Sequence, residues 1–183
     1  DLKIQKGDLN SLKGLRLGAA PGVDVGLRQL LIAAGIDIEA ENISIALPPG
    51  GIPKGSSFGV VAAQALIDGK IDGFWANGMG AEVAITNGIA KCILDVRRGD
   101  GPAEAFYYTQ PALVTTQKLV DQNPEIAAGS VRAIVKTLKA LKSDASLATK
   151  VGEKLFPKKE AGLIAKLIER DQPYYSPRIS PEL

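Results

Sequence analysis

The residues best placed to do something chemical sit in three short stretches. These are Pro21–Asp24 in APGVDVG, Ser56–Phe58 in PKGSSFG, and Trp75 with Asn77 and Gly78 in FWANGMG. Their types suit gripping a molecule rather than transforming it. An indole offers a flat apolar face and one N–H donor, which suits stacking on a ring or a cation at about 0.5–2 kcal/mol. Small residues let backbone N–H groups approach a ligand, and helix N-termini favour a negative or electron-rich group. Each residue also has a plainer reading: Trp75 as core, Asn77 as a helix cap, Asp24 as an N-cap. An Asp24 that faced a cleft would oppose an anion there, and Lys54, Arg97 and Arg98 could compensate or simply sit in water.

Covalent chemistry is restricted by what is absent. The chain has no histidine and a single cysteine. The commonest general base and the commonest metal ligands are therefore missing, and a Ser-His-Asp or Cys-His site cannot be built. The expectation is a protein that is not an enzyme and uses no cofactor or metal. Cys92 stands in the apolar run AKCILDV and reads as a small buried residue.

What positions these stretches is a repeated strand-loop-helix pattern. LRLGA (15–19) reads as a strand, APGVDVG turns, and VGLRQLLIAAG reads as a helix stopped at Gly35. ISIAL (43–47), a Pro/Gly loop and FGVVAAQALIDG, capped by Ser56 or Ser57 and closed by Gly69, repeat it. IDGFWA and NGMGAEVAITNG form a third unit, and KCILDV (91–96) reads as a fourth strand. The alternation predicts an α/β fold with a mainly parallel sheet and helices on both faces. In such sheets ligands bind outside the carboxyl ends of the strands, where all three stretches fall.

The pattern changes after Gly99. Residues 105–115 alternate as a crossing strand would, with Phe106 and Tyr108 on one side and Tyr107 on the other. Asn123 and Pro124 then open a long helix with an apolar stripe at Ile126, Val131, Ile134, Val135, Leu138 and Leu141. Two more helices follow near 145–155 and 160–171, with Tyr174 and Tyr175 over helix ends. The expected organisation is a lobe at 1–104, a crossing strand at 105–115 and C-terminal helices at 116–183. With 183 residues, 45% of them hydrophobic, the chain can bury a core. Its net charge of +2 gives no electrostatic footprint for nucleic acid.

SLKGLRLGAAPGVDVGLRQLLIAAGI and AAQALIDGKIDGFWANGMGAEVA resemble the second lobe of bacterial ABC-transporter solute-binding proteins of the nitrate, sulfonate, taurine and thiamine-precursor group. NPEIAAGSVRAIVKTLKALKSD with YYSPRISPE resembles that family's C-terminal helices. The resemblance implies one lobe of a type 2 periplasmic binding fold and an extracytoplasmic, periplasmic location. It also implies a small organic solute held between two lobes and a membrane permease as partner. Pro21, Gly22, Val23, Asp24, Ser56, Ser57, Phe58, Trp75, Asn77 and Gly78 would be its ligand contacts. Asn77 and Gly78 stand where the family commonly has an acid and a proline, and the first loop carries no Ser or Thr.

On this resemblance most of the first lobe would precede residue 1, and the missing initiator Met and signal peptide fit a mature, trimmed or truncated product. The isolated chain would then expose apolar surface or self-associate through the C-terminal helices. Two alternatives share the lobe: a thiamine-pyrimidine-synthase-like enzyme, disfavoured by the lack of histidine, and the effector-binding domain of a transcription regulator.

Overall fold

The computed structural model describes residues 4–54, 56–76, 78–106, 112–156 and 158–179, with residues 159 and 160 in backbone only. The chain divides into two compact units, Asp1–Tyr108 and Thr109–Leu183.

The first unit is α/β. Its strands are β1 (Arg16–Ala19), β2 (Ser44–Ala46) and β3 (Gly73–Trp75), and its helices are α1 (Asp24–Ala33), α2 (Phe58–Ile67), α3 (Gly78–Thr86) and the short α4 (Ala103–Phe106). All pairing is parallel in the order β2-β1-β3, with Leu17 opposite Ile45 and Ala19 opposite Trp75. Leu17 and Ala19 alternate with Gly18 across the strand. The Leu17 and Ala19 side packs with Ile43, Ile45 and the α1 residues Leu27, Leu30 and Leu31. Those three leucines recur at helical spacing, and burying each contributes about 1.5–3 kcal/mol. On the opposite side Phe74 and Ile71 pack on Ala62 and Ala65 of α2, with Phe58 and Phe74 edge to face at 6.3 Å. Gly18 leaves room there, because a Cβ would sit 3.0 Å from Ile71 Cδ1.

Helix α3 lies directly on α2. A Cβ on Gly59 would run into the Gly80 Cα, and one on Gly80 would lie 2.8 Å from the Ala76 Cβ. The two backbones touch because neither residue carries a side chain. At the amino-terminal edge of the sheet Arg16 clamps Asp72. Its Nε donates to Oδ2 at 2.9 Å and its Nη2 to Oδ1 at 2.8 Å, and its backbone N–H donates to Oδ2 at 2.8 Å. The Asp72 carboxyl is thereby drawn down to about 2, first by the Arg16 side chain and then by its N–H.

Three expectations are corrected. Residues 91–95 form no strand. The backbone bond they make to Gly7 (N–H to the Ile93 carbonyl, 2.8 Å) cannot by itself build a ladder. The Asp95 N–H goes instead to the Asp100 carboxylate at 2.8 Å, and Asp95 caps a 3-10 turn at Val96–Arg98. Cys92 is exposed rather than buried, 3.7 Å from a guanidinium nitrogen of Arg98. Ala105 and Phe106 end α4 instead of entering a crossing strand, since Pro102 starts a helical turn that Ala103, Glu104 and Ala105 propagate. Residues 112–116 carry no regular structure, while Tyr107 and Tyr108 lie outside the described residues.

The second unit is helical: α5 (Gln117–Gln122), α6 (Pro124–Ser143), α7 (Ser146–Leu155) and α8 (Lys158–Asp171). Thr116 caps α5, a helix the sequence reading passed over. Helices α7 and α8 meet where Gly152 faces Ile164, beside the buried Ala161 and Ile168. Gln172 donates to the Leu141 carbonyl at 3.1 Å and so satisfies one acceptor in the last turn of α6. Helix α6 buries none of its residues, and Val131 and Ile134 remain 54% and 40% exposed. Tyr174 ends a 3-10 turn at Gln172–Tyr174 directly after α8, and Tyr174 and Tyr175 are 43% and 39% exposed.

Candidate functional site

The strands of the first unit end together at Ala19, Ala46 and Trp75. The chain leaves β1 through residues 20–23 into α1, on the Leu17 and Ala19 side. It leaves β3 through 76–77 into α3, which rests on α2 on the Phe74 side. The two connections therefore part to opposite faces beside the Ala19–Trp75 pair, the topological switch point at which open α/β sheets hold ligands.

Pro21 and Gly22 are exposed, and Val23 and Asp24 are half-buried. Gly22 takes a φ of 86°, a conformation natural to glycine, so the loop turns sharply. Asp24 opens α1. Its Oδ1 accepts the Gly22 N–H at 2.9 Å and its Oδ2 accepts Arg28 Nε at 3.1 Å. Arg28 Nη2 also donates to the Ile45 carbonyl at 2.7 Å, tying α1 to β2. The Arg28 guanidinium, aided by the Gly22 N–H, holds the Asp24 carboxyl below the usual carboxylate range against a smaller effect of burial. The N–H groups of Val23 and Asp24 donate to the Ala20 carbonyl at 3.1 and 3.0 Å.

Trp75 is half-buried and packs against the α1-side core. Its ring is therefore neither wholly core nor wholly exposed. Gly78 is the half-buried first residue of α3, and Asn77 lies outside the described residues. Ser57, not Ser56, caps α2, accepting the Val60 N–H at 3.5 Å. Ser56 is exposed, and Phe58 belongs to the packing under the sheet. The structure thus brings Pro21–Asp24 and Trp75 to adjoining strand ends and commits Ser57 and Phe58 to folding.

Arg97 is paired to Asp95 at 2.8 Å and Arg98 to Asp100 at 2.6 Å. Burial works against the charge on Asp95, but Arg97 and Arg98 outweigh it and keep the carboxyl low. These arginines serve their own turn. The sequence reading missed Arg28, whose signal was the i,i+4 spacing to Asp24 in DVGLR.

A shallow groove lined by Ile32 and residues 35–39 opens beyond the end of α1, away from these loops. Of its two carboxylates, Asp37 already accepts the N–H groups of Glu39 and Ala40, both at 3.0 Å. Among the described residues no cluster of three His, Cys, Asp or Glu side chains could hold a metal ion, and no helix is long and apolar enough to cross a membrane. No family model, curated protein or solved structure matches the chain.

Proposed function

We propose that the first unit is a solute-binding lobe of an extracytoplasmic ABC-importer component. The lobe grips a small organic molecule at the switch point, and a second lobe closes over it. No bond is made or broken in the solute, which passes on to a membrane permease. One observation carries the reading. The parallel β2-β1-β3 order sends the connections after β1 and β3 to opposite faces beside a half-buried tryptophan. The family resemblance of the 11–36 and 62–84 segments supports the same assignment.

The test follows Trp75 fluorescence and melting temperature of the chain against small acids, amines and pyrimidines. A saturable change with a rise in melting temperature is the expected result. Silence across the panel, with Trp75 blue-shifted and inaccessible to a quencher, refutes the assignment of that loop.

A further inference from the structure

We propose that α7 docks the second unit onto an anionic lipid surface, through an apolar stripe flanked by two lysines. This surface belongs to the other unit and does not depend on the solute-binding reading.

Helix α7 uses its sides differently. Its buried residue, Gly152, faces Ile164 and seats the helix on α8. Leu147, Val151 and Leu155 recur at i, i+4 and i+8, so they line up along another side. They remain 37%, 57% and 70% exposed, and Phe156, just past the helix, is 47% exposed. Exposed apolar side chains are ordinarily scattered singly, whereas here the three helical ones follow one line about 12 Å long.

Lys150 and Lys154 run alongside, each one residue before a member of the stripe and so about 100° from it around the helix. Both are exposed, and neither forms an ion pair among the described residues. Asp144, the acid that feels the Lys150 charge, commits its Oδ1 to the Ser146 N–H at 2.9 Å. Glu153 lies about 200° round the helix from Val151, where it lines a small cavity with Lys158 and Gly162. The stripe is therefore a ridge and not the wall of that cavity.

Charge selects the occupant. A second copy laid stripe to stripe would gather four lysines around one apolar seam, which their repulsion disfavours. Anionic headgroups above acyl chains match both parts of the surface at once: the stripe enters the boundary, and the lysines reach the headgroups. Residues 126–143 add Arg132, Lys136, Lys139 and Lys142 with no acid among them, so the positive field of the unit is broader than α7. A bilayer presents anions over such a breadth, whereas one acidic helix presents a single line of them.

The test sediments the full chain with sucrose-loaded vesicles of phosphatidylcholine, alone or in equal parts with phosphatidylglycerol. Binding to the anionic vesicles should be at least about tenfold stronger, since each lysine near such a surface contributes about fivefold. Lys150→Gln with Lys154→Gln should remove most of that preference. Val151→Ser with Leu155→Ser should weaken binding to the anionic vesicles at least about tenfold, through the apolar area no longer buried. If that double variant loses its helical signal, Leu155→Ser alone, at the helix end, is judged by a loss of at least about threefold. No binding to anionic vesicles overturns the proposal, and so does equal binding to neutral ones. A folded stripe variant that binds like wild type also overturns it, leaving bulk charge as the cause. Capture by an acidic amphipathic peptide, with vesicles left unbound, overturns it in favour of a protein partner. Vesicle binding is read by sedimentation and the solute panel at Trp75, so the two readings fail separately.

Discussion

Replacing Gly59 by alanine tests the α2–α3 contact directly. The new Cβ would collide with the Gly80 Cα, which is backbone and has no rotamer by which to escape, so the helices must separate. Overpacking of this kind costs about 1–3 kcal/mol, and a backbone obstacle places it near the top of that range. Alanine returns about 1 kcal/mol of helix propensity relative to glycine. The net expectation is a loss of about 2 kcal/mol, or roughly 1 M in urea midpoint for an m-value near 2 kcal/mol/M. Trp75 emission is the natural probe, since α3 starts at Gly78, three residues further on. Gly162→Ala is the control: nothing lies within 4 Å of its would-be Cβ on α8. Only propensity then changes, and the second unit, followed by far-ultraviolet circular dichroism, should gain up to about 1 kcal/mol. A Gly59→Ala chain with a midpoint at or above wild type would refute the close-contact argument.

Acid should weaken the Arg16–Asp72 clamp. The folded carboxyl, at about 2, lies below its ordinary 3.8, so its stabilisation is complete above about 4 and is lost as pH falls toward 2. Asp72 is 24% and Arg16 52% exposed, so water screens the pair and Asp72→Asn should cost only about 1 kcal/mol at neutral pH. Unfolding free energies of the two chains should converge between pH 4 and 2, and a pH-independent gap would contradict the assignment. The partly exposed stripe of α6, open at Ile126, Val131 and Ile134, should make the isolated chain bind a hydrophobic dye or self-associate, and sedimentation showing a compact monomer with no dye response would count against it.

Local signals in the sequence translated well into structure because their physics is local. Gly35 closes the turn after α1 with a φ of 74°, Ser57 caps α2, and Pro124 opens α6. The leucines of α1 found their face by periodicity alone. What failed depended on partners distant in sequence. KCILDV has strand composition, yet a strand also needs a neighbour, and the Asp95 N–H had a closer one in Asp100. Cys92 sits in an apolar run that does not enter a ladder, which is why it reaches the surface. At the site, the positions of Trp75 and Asp24 were legible from the strand-loop-helix rhythm. The Asp24–Arg28 pair has its signal in the i,i+4 spacing, whereas the second bond of Arg28 has none, because the Ile45 carbonyl lies 17 residues away.

The strand order also bears on how the first unit assembles. Residue 16 of β1 meets residue 44 of β2, whereas residue 17 meets residue 73 of β3, so the second joint closes about twice as much chain. Doubling a loop adds only about 0.6 kcal/mol of closure entropy, enough to order the events without hindering them. The β1-α1-β2 unit can zip up first, leaving β3 to arrive last against a finished edge. Trp75, the final residue of β3, would then close the sheet as its backbone comes into register with Ala19.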